Sequence, residues 1–343
     1  MGRHTNIAWC DSTFNPWRGC TRVSEACRFC YAETLSHRNP KVLGVWGDAG
    51  TRVVASEAAW REPRKWDRAA AAAGDRHRVF CASLADVFED RPNLIAPRIR
   101  LFHLISETPN LDWLLLTKRP ENVRRFCVAP DVPRSWSESM PPNCWLGCSV
   151  ENQATADERI PHLLRTPAAV RFLSVEPLLA PVDLTTVPGF YYPGATTHDA
   201  LAGRLYHHDD DDQWTRDTKV DWVIVGGESG PKARPMHPQW ARDIRDQCVV
   251  SGTPYFFKQW GGWFPADQYD YDTELPRLGG RPEIYVGPQG GIVRTSSPFA
   301  HGCPCDVPPG YVSMVSVGKH AAGRLLDGVT WDQFPQPREF ATS

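Results

Sequence analysis

Three cysteines crowd one short stretch, NPWRGCTRVSEACRFCYAE, residues 15–33, where Cys20, Cys27 and Cys30 give the spacing C-x6-C-x2-C. Thiolates gathered this way hold metal. The chain has eleven cysteines, an odd number, and its first residues, MGRHTNIAWCDSTFN, contain no apolar leader. Both features point to a reducing, cytoplasmic setting rather than to a disulfide framework. A structural zinc site needs a fourth ligand, which Cys10 could supply as C-x9-C-x6-C-x2-C, a spacing unlike the usual paired zinc motifs. An iron–sulfur cluster held by three cysteines leaves one iron open to a substrate or cofactor. Phe29 and Tyr31 flank Cys30, and aromatics there would shield a cluster and pack against an adenine. The cluster is the preferred reading; zinc and unligated thiols remain alternatives.

Further polar groups fall where apolar runs stop. The runs RVFCASLADVFED from Arg78, LDWLLLTKRPEN from Leu111, NCWLGCSVENQ from Asn143, VRFLSVEPLL from Val170, VDWVIVGGESG from Val220 and TPYFFKQWGG from Thr253 each read as a buried parallel strand. They end on SLAD, TKRP, SVEN, SVEP, GGESG and KQWG. Amphipathic stretches NLIAPRIRLFHLISET, ATADERIPHLLRTP and PQWARDIRDQCVVSG read as helices between them. With a strand near NIAWC, the pattern gives six or seven βα units. It predicts an α/β fold, a partial or full (βα)6-7 barrel of the TIM type, with a doubly wound sheet as competitor. The barrel is preferred because polar residues follow strand after strand, and in barrels that rim carries the chemistry. Cys81, Cys144 and Cys148 fall inside strands and read as buried small hydrophobes.

Residues 1–264 are thus expected to form the barrel, with an insertion at 185–219 long enough to serve as a lid. Residues 265–343 read as a loop-rich extension packed on it, with GKHAAGRLLDG as a last helix ending on Gly328. HHDDDD in the insertion reads as a solvated acidic loop, and His301, Cys303 and Cys305 of HGCPC as a weak metal candidate. No apolar run approaches the roughly 20 residues of a membrane span. Of the 343 residues 41% are hydrophobic and 23% charged, with net charge -2, which fits a globular core and excludes a protein that coats nucleic acid by charge alone. The fourteen tryptophans read as core first and as stacking surfaces second.

Taken together, the cysteine loop and TKRPEN, SVEN, FLSVEPLL, WVIVGGESG, KQWG and GKHAAGRLLDG resemble a phage and prophage family similar to radical S-adenosylmethionine (SAM) proteins, over about residues 5–335. The superfamily's usual spacing is C-x3-C-x2-C, so C-x6-C-x2-C departs from it. The resemblance implies a 4Fe–4S cluster on Cys20, Cys27 and Cys30, with SAM chelating the fourth iron through its amino and carboxylate groups. Reduction then cleaves SAM to methionine and a 5′-deoxyadenosyl radical. It implies a flavodoxin- or ferredoxin-type electron donor and a location in host cytoplasm if phage-encoded. Family members are linked to hypermodification of thymidine in phage DNA, so the implied substrate is an amino-acid-substituted thymidine, isomerised or otherwise modified. A radical SAM enzyme acting on RNA or peptide and a zinc-stabilised binding protein are the alternatives.

On that reading Phe29, Ser83, Asp86, Ser149, Glu151, Glu176, Gly226, Gly227 and Glu228 are the SAM-contact candidates. Ser83 and Asp86 take the amino group, and the carboxylates take ribose hydroxyls or the ammonium. GGESG follows a late strand, so it is not the superfamily's usual glycine-rich motif. Lys118, Arg119 and Lys258 are the substrate candidates, with Arg234 as a further phosphate contact. The competing role for Glu151 and Glu176 is to cap a helix or to pair with Lys118 or Arg119, and for Lys258 a structural ion pair.

Overall fold

In the computed structural model of the chain, residues 5–190, 196–207, 214–268, 283–293 and 308–336 are described. Seven strands make one sheet: β1 Ser12–Thr13, β2 His77–Cys81, β3 Leu111–Thr117, β4 Cys144–Ser149, β5 Arg171–Val175, β6 Trp222–Gly226 and β7 Tyr255–Gln259. Their order in the sheet is their order in the chain, and every adjacent pair is parallel. An order that never reverses rules out a doubly wound sheet. Crossovers of one hand then put every connection on one face and curl the sheet around the other. The result is a mixed α/β fold on a curled parallel half-barrel of seven strands, with β1 and β7 as its edge strands and β7 bridged on its outer side to the chain at Asp332.

The two faces are visible in the alternation along each strand. Val79, Cys81, Trp113, Leu115, Leu146, Cys148, Leu173, Val175, Val223 and Val225 belong to a large buried cluster that also holds helix residues such as Leu101, Phe102, Ile160 and Ile244. The residues between them, Phe80, Leu114, Trp145, Phe172, Trp222, Ile224 and Phe256, form a second cluster with Trp9. Trp9 lies 4.5 Å from the Phe80 ring, and Trp222 has Phe172, Phe256 and Phe334 within 5.2–6.0 Å. This aromatic plug fills the concave side. A Cβ on Gly147 would lie 2.4 Å from the Phe172 ring, so glycine is what lets β4 sit against it.

Helices cover the convex face. The stretch after the cysteines forms α1, Tyr31–Ser36. A seventeen-residue helix, α2 Glu57–Ala73, was not among the expectations. Ser56 caps its N-terminus, Gly74 at φ 65° ends it, and Trp60, Pro63, Trp66 and Ala70 form its buried stripe. The expected helices are α3 Ile95–Ser106, α4 Gln153–Arg165 and α5 Pro238–Ser251. A reciprocal Asn152–Thr155 capping box starts α4, and Gly252 at φ 69° stops α5.

Several expectations need correction. NIAWC is not a strand: Ile7–Cys10 is a hydrogen-bonded turn, and β1 comes two residues later. The insertion forms a four-stranded antiparallel sheet where a helix would join β5 to β6. Its apolar residues Val187, Ala200 and Leu201 join the large cluster, and Thr218 bonds to Leu164 O of α4. No described residue of 185–219 lines the cavity at the sheet's C-terminal end, so the described part of the insertion is outer wall rather than lid. GKHAAGRLLDG is not one helix. A single turn, Lys319–Ala322, stops at Gly323, and Leu325–Leu326 then pairs with Val329–Thr330 across Asp327 and Gly328, both at positive φ. That is hairpin geometry, for which Asp-Gly is the strongest short signal. Elsewhere in the 265–343 segment, Glu283–Val286 runs antiparallel to Val312–Ser316, which also pairs with Trp263–Pro265 at the end of the preceding region. His301, Cys303, Cys305 and residues 208–212 of HHDDDD lie outside the described residues.

Candidate functional site

A cavity of about 400 Å³ opens where the strands end. Trp9, Phe80 and Leu116 line its base, the cysteine loop forms one wall, and the ends of β3 to β7 form the others. Cys20, Cys27 and Cys30 all face this space. The geometry follows from strand alternation. Leu114, Leu116 and Lys118 share a face, as do Trp145, Gly147 and Ser149, and Phe172, Ser174 and Glu176. The face that is aromatic below is polar above.

The cysteine loop is held at three points, which accounts for the long gap between Cys20 and Cys27. Arg119 donates to Thr21 O at 2.8 Å, to Asp86 at 2.9 Å and to Cys20 Sγ at 3.8 Å. Arg52, fully buried, forms a fork with Glu89 at 2.6 and 2.7 Å and also donates to Thr21 Oγ1 at 2.8 Å. Arg234 grips Glu228 through two side-chain bonds of 2.7 and 2.9 Å, donates to Glu25 O at 3.0 Å, and lies 5.2 Å over the Phe29 ring. Arg22 adds a bidentate pair with Glu33 at 2.8 Å. The gap residues Thr21, Arg22 and Glu25 are therefore the handles by which the rest of the chain positions the thiols. Burial, with the nearby Asp86 charge, pushes the Cys20 thiol up to about 12, and burial raises Cys30. Binding a soft metal there would release protons.

Each carboxylate at the cavity has its own partner. Asp86 accepts from Phe88 N, Thr117 Oγ1, Lys118 N and Arg119. It ties β2 to β3 and has its oxygens engaged, so its geometry is that of an anchor rather than of an open acceptor for an amino group. Arg119 borders the cavity, but its guanidinium is taken up by Asp86, Thr21 O and Cys20 Sγ. Burial opposes its charge, but Asp86 and Cys20 hold its pKa above the ordinary arginine value. Glu228 accepts from Arg234, which leaves neither group open. Glu176 accepts from Lys258 at 2.7 Å and from Gln259 at 2.9 Å. Lys118 donates to Ser149 Oγ at 3.3 Å and, among the described residues, has no carboxylate within ion-pair distance; its positive charge is felt at Cys30.

Of the expected site residues, Phe29, Ser83, Asp86, Lys118, Arg119, Ser149, Glu176, Gly227, Glu228 and Lys258 line the cavity with the three cysteines. Two do not. Glu151 turns under α4, 1% exposed and paired with Arg159 at 2.9 Å, because β4 ends at Ser149 and the chain swings into the α4 cap. Gly226 stands behind Glu176, where a Cβ would come within 3.1 Å of the carboxylate. Gly227 admits the close approach of Trp260 O, 2.0 Å from where a Cβ would lie. Ser83 accepts from Asn15 through its hydroxyl and from Tyr31 OH, at 2.6 Å, through its carbonyl.

The sequence reading missed Lys319, which lines the cavity from the far segment, and the Arg52–Glu89 clamp. Cys10 is 6% exposed, packs in the aromatic cluster and does not line the cavity, so the zinc alternative has no fourth thiol there. Among the described residues, no set of three or more histidine, cysteine, aspartate or glutamate side chains is gathered tightly enough for one metal ion. No described helix is long and apolar enough to cross a membrane.

Neither the proteins of curated function nor the solved structures contain a match to the chain. A family model described as a protein of unknown function, DUF5131, matches residues 4–335, and the chain belongs to that family.

Proposed function

We propose that the chain is a radical SAM enzyme in which Cys20, Cys27 and Cys30 hold a 4Fe–4S cluster, and that the half-barrel is of the radical SAM type. One observation carries the reading: three thiols on a single clamped loop face the same cavity as the polar strand ends of a parallel half-barrel. The donor set fits. Three soft sulfurs leave one iron of a cluster without a protein ligand, whereas a closed zinc site needs a fourth. A cluster held by Cys20, Cys27 and Cys30 would supply one-electron reduction of SAM, the chemistry from which hydrogen-atom abstraction from the substrate would follow.

The chain's own residues do the rest. Arg119 and Arg52 fix the loop. Lys118, adjoining Cys30 with no acidic partner, is available to the SAM carboxylate. Phe29 offers a face to the adenine. Trp9, Phe80 and Leu116 keep water from the base of the cavity. The electron comes from a flavodoxin- or ferredoxin-type donor. The substrate is an amino-acid-substituted thymidine of phage DNA, isomerised or otherwise modified, as the sequence resemblance implies.

Anaerobic purification tests the chemistry. A brown protein that releases 5′-deoxyadenosine from SAM and dithionite is expected, with colour and cleavage both lost in Cys20→Ala, Cys27→Ala and Cys30→Ala. A colourless protein with one zinc per chain sinks the proposal in favour of a binding protein. Digesting the DNA of the source genome to nucleosides, with and without the gene, tests the substrate: an unchanged nucleoside profile excludes the DNA reading.

A further inference from the structure

Charge at the cavity does not balance. Asp86, Glu228 and Glu176 each have a cation of their own in Arg119, Arg234 and Lys258. Lys118 faces the thiols. That leaves Lys319 on the opposite wall, beside the Lys258–Glu176 pair. Among the described residues no carboxylate lies within ion-pair distance of it. Lys319 is exposed at the rim of the cavity; partial desolvation, and then the like charge of Lys258, lower its pKa, with Glu176 opposing.

The position is built. Val317 N and Gly318 N both donate to Gly262 O, at 3.1 and 3.0 Å, and Trp260 N donates to Gly323 O at 3.2 Å. The Lys319–Ala322 turn is thereby pinned to the loop leaving β7. Gly318, at φ 82°, makes the bend that starts the turn. A rigid backbone thus brings a second ammonium up to one already neutralised. Two cations sharing one carboxylate are unfavourable until an anion joins them.

We infer that Lys319 is the anchor for an anionic group, a phosphate or a carboxylate, on the substrate that shares the cavity with SAM. The inference rests on the proposed function for its assignment of the cavity. It extends that function by giving the Lys319 corner to the substrate and the Lys118 corner to SAM.

Calorimetric titration of the anaerobically purified protein tests it, with thymidine 5′-monophosphate, glutarate and uncharged thymidine as probes. At least one of the two anions is expected to bind more tightly than thymidine. Lys319→Met should weaken that anion about tenfold or more, Lys319→Arg should restore it, and Lys41→Ala, an exposed charge that does not line the cavity, should leave it unchanged. SAM binding and the thermal midpoint should be unaffected by Lys319→Met. Dependence confined to the nucleotide identifies a phosphate, and dependence confined to glutarate a carboxylate. Equal binding of both anions to wild type and Lys319→Met overturns the inference, as does the failure of either anion to bind at about millimolar concentration. The two proposals fail separately. A colourless, SAM-inert protein that holds the anion through Lys319 removes the radical chemistry alone, and a brown, SAM-cleaving protein with Lys319-independent binding removes this inference alone.

Discussion

The lower and upper halves of the concave face are made from the same strands, two to four residues apart, and do opposite work. Below, Phe80, Leu114, Trp145, Phe172, Trp222 and Phe256 close on Trp9. Above, Lys118, Ser149, Ser174, Glu176 and Lys258 surround the cavity. Each buried aromatic of the plug contributes roughly 1.5–3 kcal/mol by leaving water. The upper layer holds ammonium and carboxylate groups whose desolvation is offset only where a partner is present. The lower half supports the fold, and the upper half draws on that support to keep charged groups in fixed positions.

Substitutions separate the two. The largest loss of stability is expected from Arg52→Ala, which leaves Glu89 buried without its cation, about 3–5 kcal/mol in urea unfolding. It should also free the cysteine loop, read as faster alkylation of Cys20 in the metal-free protein. Trp222→Ala in the plug should cost a similar 3–5 kcal/mol while leaving SAM affinity per folded molecule unchanged; a stable protein with lost SAM binding would break the division between halves. Gly147→Ala pushes a methyl into the Phe172 ring and should cost about 1–3 kcal/mol, with Phe172→Leu in the same chain recovering part of it. The smallest effect on unfolding, within about 0.5 kcal/mol, is expected from Lys118→Met, although it should abolish tight SAM binding. A Lys118→Met protein that unfolds early would place that lysine in the scaffold instead.

Strand alternation explains much of what the sequence made legible. Continuous apolar runs ending in polar residues revealed the parallel sheet and its polar rim, and the thiol spacing located the loop. Adjacent residues at a strand end, however, take different roles. Both Lys118 and Arg119 border the cavity, but Arg119 commits its guanidinium to Asp86, Thr21 O and Cys20, and no composition separates the two roles without the register. Glu151 has the parity of Ser149, but β4 has already ended. Arg52 acts on Thr21 across 31 positions with no periodic signal linking them. The insertion looked like a lid because length alone does not say which end of the barrel a loop covers. The Asp-Gly pair at 327–328 carried a hairpin signal that the apolar pattern around it obscured.

The segment just beyond that hairpin has a consequence for how the molecule is made. Phe257 N donates to Trp331 O, Gln333 N to Tyr255 O, and Trp222 Nε1 to Gln333 O. Phe334 completes the ring of aromatics begun by Trp9, and Arg78 lies 4.1 Å over its face. Residues more than three hundred positions apart thus meet in the same layer. On the ribosome the seven strands can be synthesised, but β7 keeps an open edge and Trp222 an exposed flank until residue 334 emerges. The half-barrel is therefore completed after translation of its strands, and a nascent chain arrested short of that point is an aggregation risk.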